Sequence, residues 1–284
     1  MDQRRIGDHH VGAIGLGGMP MSVREHNDES LGIRTIHAAL EAGVTLIDTA
    51  DAYSWDEESF GHNEELIAKA LEEYGAGADV LVATKGGHTR RGREWHLDGR
   101  PEYLRVACEE SLRRLGVEAI GLYQHHRPDP EVDYAETMGG LKALLDDGLI
   151  VWAGISNADL EQIRLAYEIL GDGLAAVQNE FSPRFRSSQP ELDLCTELGV
   201  AFLPWSPLGG MSEAGELGDR FHAFAEVAAD HGVSPQQVAL AWELSKSPVV
   251  VPIPGASRVE SVQDSAGAVG LVLSPEELAR LDAS

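Results

Sequence analysis

The chain of 284 residues has 43% hydrophobic and 24% charged side chains, and its 22 Lys+Arg against 47 Asp+Glu give a formal charge of −25 at pH 7. So acidic a surface excludes nucleic acid and anionic lipid as partners. No stretch approaches the ~18 apolar residues of a membrane span. Cys108 and Cys195 form neither a disulfide framework nor a metal-ligand spacing, so a metal-free cytoplasmic protein is expected.

In chain order, a charged amino terminus gives way to a β-rich apolar run at 11–16, followed by similar runs at 45–47, 80–84, 120–123, 151–155, 176–178, 200–204 and 249–252. Stretches of helical period lie between them, at 31–42, 64–71, 102–115, 137–146, 159–169, 190–198 and 220–230. Glycines 43, 116 and 199 close helical patterns just before a valine that opens the next segment. Ser234-Pro235 and Ser274-Pro275, each followed by Gln or Glu at the third helical position, read as helix starts. Eight strands alternating with helices predict a single α/β domain over 1–284, a (β/α)8 barrel, because parallel strands need crossover helices and eight units close a sheet. An open doubly wound sheet is the alternative. Against it, Gly15-Leu16-Gly17-Gly18-Met19-Pro20 lacks the third glycine of a dinucleotide-binding fingerprint.

A barrel carries its chemistry at the carboxyl ends of its strands. There the chain has Asp48 and Tyr53, then Lys85, His125 and His126, Ser156-Asn157, Gln178-Asn179, Trp205-Ser206 and Gly255-Ala256-Ser257-Arg258. Taken singly, most are also what turns and caps require. Lys85 is different: it is one of four lysines (69, 85, 142 and 246) and it ends an apolar strand, where an ammonium needs a carboxylate partner or a chemical task. Asp48, on the neighbouring strand, is the natural partner. Tyr, Lys, Asp and His around one barrel mouth suit proton donation, with the ammonium favouring the phenolate. The same residues would also serve a Schiff-base aldolase with Lys85 as nucleophile.

Seven blocks, in order, resemble the aldo-keto reductase superfamily, whose members are barrels that bind NAD(P)H without a Rossmann domain. They are Gly43-Val44-Thr45-Leu46-Ile47-Asp48-Thr49-Ala50 with Tyr53 and Asn63-Glu64; Val82-Ala83-Thr84-Lys85; Leu122-Tyr123-Gln124-His125-His126-Arg127-Pro128; Gly154-Ile155-Ser156-Asn157; Val177-Gln178-Asn179; Trp205-Ser206-Pro207-Leu208-Gly209; and Ile253-Pro254-Gly255-Ala256. The resemblance implies NADPH-dependent reduction of an aldehyde or ketone, with Tyr53 as general acid, Lys85 tuning it, Asp48 anchoring Lys85 and His126 orienting the carbonyl oxygen. His126 is chosen over His125 because it directly precedes Arg127-Pro128, and strand alternation keeps both from facing one site.

The resemblance further implies that Ser156, Asn157 and Gln178 hold the nicotinamide carboxamide and that Trp205 stacks on the ring, with Ser206, Pro207 and Leu208 beside it. Gly255, Ala256 and Ser257 would cradle phosphate, and Arg258 a 2′-phosphate, which favours NADPH with NADH bound more weakly. Asp264-Ser265 stands where Glu-Asn is common at the adenine, so Asp264 is the expected contact there. In the loop after Lys85, Arg90 and Arg93 could meet an anionic substrate, with Trp55 and Trp95 as an apolar wall. Helical pattern ending near residue 281 suggests an open pocket. The start Gly15-Leu16-Gly17-Gly18-Met19 is similar to a bacterial subgroup that includes pyridoxal reductases. A cofactor-sensing binding protein, like the channel β subunits that resemble these enzymes, is the reading from another class. No sequence feature fixes the oligomeric state or the physiological carbonyl.

Overall fold

The structure is a computed structural model that describes residues 2–76, 79–210 and 213–284. A hairpin of β1 (Gln3–Ile6) and β2 (His9–Gly12) precedes β3 (Leu16–Gly17), α1 (Glu29–Glu41), β4 (Leu46–Asp48), α2 (His62–Tyr74) and β5 (Leu81–Gly86). A second hairpin, β6 (His88–Arg91) and β7 (Glu94–Leu97), leads into α3 (Pro101–Leu115). Then come β8 (Ile120–His125), α4 (Tyr134–Asp146), β9 (Ile150–Ser156), α5 (Leu160–Leu170), β10 (Leu174–Gln178), α6 (Gln189–Leu198) and β11 (Ala201–Phe202). Helices α7 (Leu217–Arg220), α8 (His222–His231), α9 (Pro235–Lys246), α10 (Val259–Gly267) and α11 (Pro275–Asp282) complete the chain.

Seven strands make one parallel sheet in the order β3, β4, β5, β8, β9, β10, β11. Residues 249–255 join its two edges, bridging Val250 to Phe202 and Gly255 to Gly17, so the sheet closes into the expected (β/α)8 barrel. Two expected strands differ in form. The run 11–16 is divided: its start belongs to β2, which folds back antiparallel on β1, and only Leu16–Gly17 enters the barrel. The run 249–252 forms bridges rather than a continuous strand, because Pro252 and Pro254 have no N–H to give. Their carbonyls instead accept from Gly15 N (2.9 Å) and Gly17 N (3.0 Å).

Alternation along the strands separates two cores. Leu46, Leu81, Ala83, Leu122, Ala176, Ala201, Leu203 and Val251 point into the barrel and are plugged from below by Ile6 and Val11 of the hairpin. Ile47, Val82, Tyr123, Ile155, Val177 and Phe202 point outward against the helices. Helix starts follow the sequence signals: Ser234 and Ser274 cap α9 and α11, and Ser274 with Glu277 forms a capping box. Gly116 and Gly199 end α3 and α6 with φ of 68° and 69°.

Candidate active site

The same alternation lifts a polar layer above the apolar barrel filling. Lys85 follows Leu81 and Ala83 on the inner face of β5, while Gln124 follows Leu122 on β8 and His126 comes directly after that strand. Gln178 follows Ala176 on β10, and Asp48 ends β4. The Lys85 ammonium, with no exposed surface, donates to Asp48 Oδ2 (2.6 Å), Thr49 O (2.8 Å) and Tyr53 Oη (3.1 Å). Asp48 Oδ1 accepts in turn from Gln178 Nε2 (2.8 Å) and Gln124 Nε2 (3.2 Å). Every hydrogen of the ammonium is therefore matched, as a sealed cation requires.

Burial alone would lower the Lys85 pKa, but the Asp48 charge and Tyr53 outweigh it and hold the amine above its ordinary value, as an ammonium. Tyr53 also moves upward: burial dominates, Lys85 opposes it, and Asp48 adds to it. The expectation that the neighbouring cation would favour the phenolate thus gives the sign of one contribution and not of the sum. The phenol stays protonated at neutral pH, with Lys85 ready to receive the charge of its conjugate base.

His126 stands edge-on to Tyr53, ring centroids 5.5 Å apart. Its pKa is pushed well down by burial and by the Lys85 charge, so the ring is neutral. Its Nδ1 is buried with no partner among the described residues. A bare lone pair there is less unfavourable than a bare N–H, which places the proton on Nε2, toward the cavity. His125 points the other way, toward Tyr134 on α4, as alternation requires. Burial lowers its pKa to about 4.

Asp48, Tyr53 and His126 line one end of an open cavity of about 1210 Å³. Along its wall lie Ser156, Asn157 and Gln178, then Trp205, Ser206, Pro207 and Leu208, then Gly255, Ala256, Ser257, Arg258 and Asp264. The structure thus brings every expected cofactor residue to one surface. Asn157 and Ser206 are the non-glycine residues at positive φ (59° and 50°) among those described, and both sit on this wall. Asn157 is held by bonds from its Nδ2 to His126 O and Ser156 Oγ and from Arg127 to its Oδ1. Gln178 spends its amide N–H on Asp48 and Gln124, which leaves its carbonyl free to accept. At Gly17 an added Cβ would lie 2.9 Å from Ile253 O, and at Gly255 2.9 Å from Pro20 Cγ, so the backbone seam forms the wall itself. Asp264 lines the cavity, but its oxygens already accept from Ser234 and Gln237 (2.7 and 2.8 Å), which makes it a brace between α10 and α9.

The substrate-loop expectation needs correction. Residues after Lys85 form the β6–β7 hairpin, and Arg90, 7% exposed, is turned into it. Its guanidinium donates to Ala52 O, Ser54 O and Arg93 O and stacks on Trp95 at 3.4 Å. Arg93 stacks on Trp55 (4.3 Å). Trp95 lines the cavity, while Arg90, Arg93 and Trp55 do not, so a contact between those guanidiniums and substrate finds no support.

Sequence reasoning passed over Gln124, which braces Asp48 beneath the cavity, and, on the cavity wall, His88, Gln236, Arg24, His26, Asn27 and Asp28. Gln124 was findable, two residues before His126 at the strand period. The others sit on loops, at the first residue of a hairpin strand or at a helix start, where no periodicity speaks.

Residues 13–284 match the model of the Aldo/keto reductase family. An uncharacterized oxidoreductase of Schizosaccharomyces pombe is 35% identical over 285 residues, covering 98% of this chain and 88% of that protein. A probable aldo-keto reductase of Glycine max is 35% identical over 298 residues, covering 94% and 84%. Among solved structures, an aldo/keto reductase from Klebsiella pneumoniae in complex with NADP and acetate superposes with a TM-score of 0.82 at 28% identity, covering 99% of this chain and 94% of that one.

Proposed function

The chain belongs to the aldo/keto reductase family, and from that premise we propose that it reduces a small-molecule aldehyde or ketone to the alcohol with NADPH, using Tyr53 as the general acid. The observation that carries this reading is the Tyr53 hydroxyl at the cavity wall, bonded to an ammonium that Asp48 and Thr49 O lock in place.

The wall residues fit a nicotinamide dinucleotide. Ser156, Asn157 and the Gln178 carbonyl suit the carboxamide, and Trp205 offers an apolar face. Gly255, where an added Cβ would meet Pro20, leads a Gly255-Ala256-Ser257 stretch that suits phosphate, through the backbone N–H groups of Gly255 and Ser257 since that of Ala256 is given to Gly17 O, and Arg258 at the start of α10 suits the 2′-phosphate. When bound, the reduced ring supplies hydride to the carbonyl carbon. Tyr53 O–H and His126 Nε2–H hold the carbonyl oxygen from two sides and polarise it. As negative charge builds on that oxygen, Tyr53 passes its proton there, and the resulting phenolate is stabilised by the Lys85 ammonium at 3.1 Å. Solvent entering the open cavity returns the proton. A Schiff base on Lys85 would need a free neutral amine, whereas this one is sealed and held cationic.

The test is a tryptophan-quenching titration with NADPH and NADH followed by multiple-turnover assays. NADPH is expected to bind more tightly, and Arg258→Ala to remove that preference while leaving NADH unchanged. Tyr53→Phe should keep cofactor affinity and lose roughly 10²–10⁴ in kcat. Near-normal turnover in Tyr53→Phe would overturn the acid role. Cofactor binding without turnover of any carbonyl would point to the cofactor-sensing reading.

A further inference from the structure

We propose that His88 reads a hydroxyl group on the carbon next to the substrate carbonyl, so that hydroxyaldehydes and hydroxyketones are favoured over their deoxy counterparts; this rests on the reductase reading above. His88 opens β6, directly after the glycine pair that follows Lys85. Its Nδ1 lies 3.2 Å from His96 O across the hairpin. A carbonyl can only accept, so Nδ1 carries the proton and Nε2 of the neutral ring carries a lone pair.

That nitrogen has no hydrogen-bond partner among the described residues, yet it is not sealed away as His126 Nδ1 is, and its ring lines the cavity. The His88 ring stands perpendicular to His126 at 4.3 Å and edge-on to Trp95 at 5.2 Å. Its place is therefore beside the carbonyl position. Burial holds its pKa down to about 4, so the lone pair persists through the neutral range.

The polarity of the three groups is what discriminates. Tyr53 and His126 present donors, which suit a carbonyl oxygen, and His88 presents an acceptor, which a carbonyl oxygen cannot use. A hydroxyl on the adjacent carbon can donate to it. A bare alkyl chain would leave the lone pair desolvated and unmatched, and a carboxylate would set oxygen lone pairs against it.

The experiment compares kcat/KM for 2-hydroxypropanal and propanal, which differ by one hydroxyl, in the wild-type protein, His88→Phe and His88→Gln. NADPH affinity is checked in each to confirm an intact site. The wild type is expected to favour 2-hydroxypropanal by about tenfold, mainly through KM. His88→Phe should bring the ratio close to one, and His88→Gln, which keeps an acceptor on a similar reach, should recover part of the preference. A wild type without the preference, or a preference that survives in His88→Phe, overturns the proposal while leaving the reductase reading intact. A wild type that reduces other carbonyls but neither of these overturns this inference alone, and one that binds NADPH and reduces no carbonyl removes the reductase reading, and this inference with it.

Discussion

A lysine with no exposed surface persists only where its charge is answered, and Lys85 is answered by Asp48, Thr49 O and Tyr53 together. The histidines around it are in the opposite condition, since burial keeps them neutral. In the unfolded chain they titrate near the ordinary value of about 6.5, but in the fold His88 and His125 do so at about 4, and His126 is pushed well below its ordinary value by burial and the Lys85 charge. Between those limits the unfolded chain binds protons that the folded one refuses, so stability rises with pH. The slope is at most about 1.4 kcal/mol per pH unit for each fully buried ring. Urea midpoints measured from about pH 4.5 to 7.5 should climb less steeply with pH, or fall more, in His125→Phe than in the wild type, and identical pH profiles would contradict the burial of that ring. Glu243 carries the opposite sign. Both its oxygens are buried with no partner among the described residues, and burial raises its pKa well above the usual range. Its folded form therefore holds a proton that the unfolded chain gives up as pH rises. Glu243→Met should stabilise the protein by about 1–3 kcal/mol at pH 7, with the gain shrinking toward pH 4 in the same urea assay. Asp48, Tyr53, Lys85 and His126 were legible as residue types at strand ends. The fate of the Arg90 guanidinium was not, because whether loop carbonyls use it up depends on how residues 52 to 54 and 93 come to lie around it.

Among the elements, the helices matched their patterns closely, since capping serines, aspartates and terminal glycines act within one turn. The strands of the barrel interior were legible for the same local reason: a run such as 120–123 is apolar on both faces, as a strand between a packed lumen and a helix layer must be. Where the reading failed, pairing depended on distant partners. The β1–β2 hairpin is short and charged on its outer face, and only Ile6 and Val11, both sealed, reveal that it floors the barrel. Ile6→Ala should cost about 2–5 kcal/mol in urea unfolding by opening a cavity in that floor. Cofactor affinity should stay unchanged, because the floor and the binding wall lie at opposite ends of the strands.

For the whole molecule, the formal charge of −25 opposes compaction, and screening relieves it. Raising NaCl from about 10 mM to about 300 mM should increase the thermal midpoint by a few degrees, and a decrease would mean that local ion pairs outweigh the net repulsion. Against this background Arg24, Arg127 and Arg258 gather at the cavity that the anionic cofactor is proposed to enter. The barrel itself is assembled almost strictly in chain order, each sheet strand pairing with the one before it, until Gly17 meets Gly255. During synthesis on the ribosome, that last pairing has to wait until residue 255 has emerged. Until then the nascent sheet is open, with β3 as an unpaired edge, and the wall assigned to phosphate does not yet exist. Any capture of cofactor at that wall therefore belongs to the end of translation, and a nascent chain stalled short of this seam would present an aggregation-prone edge to the chaperones that meet it.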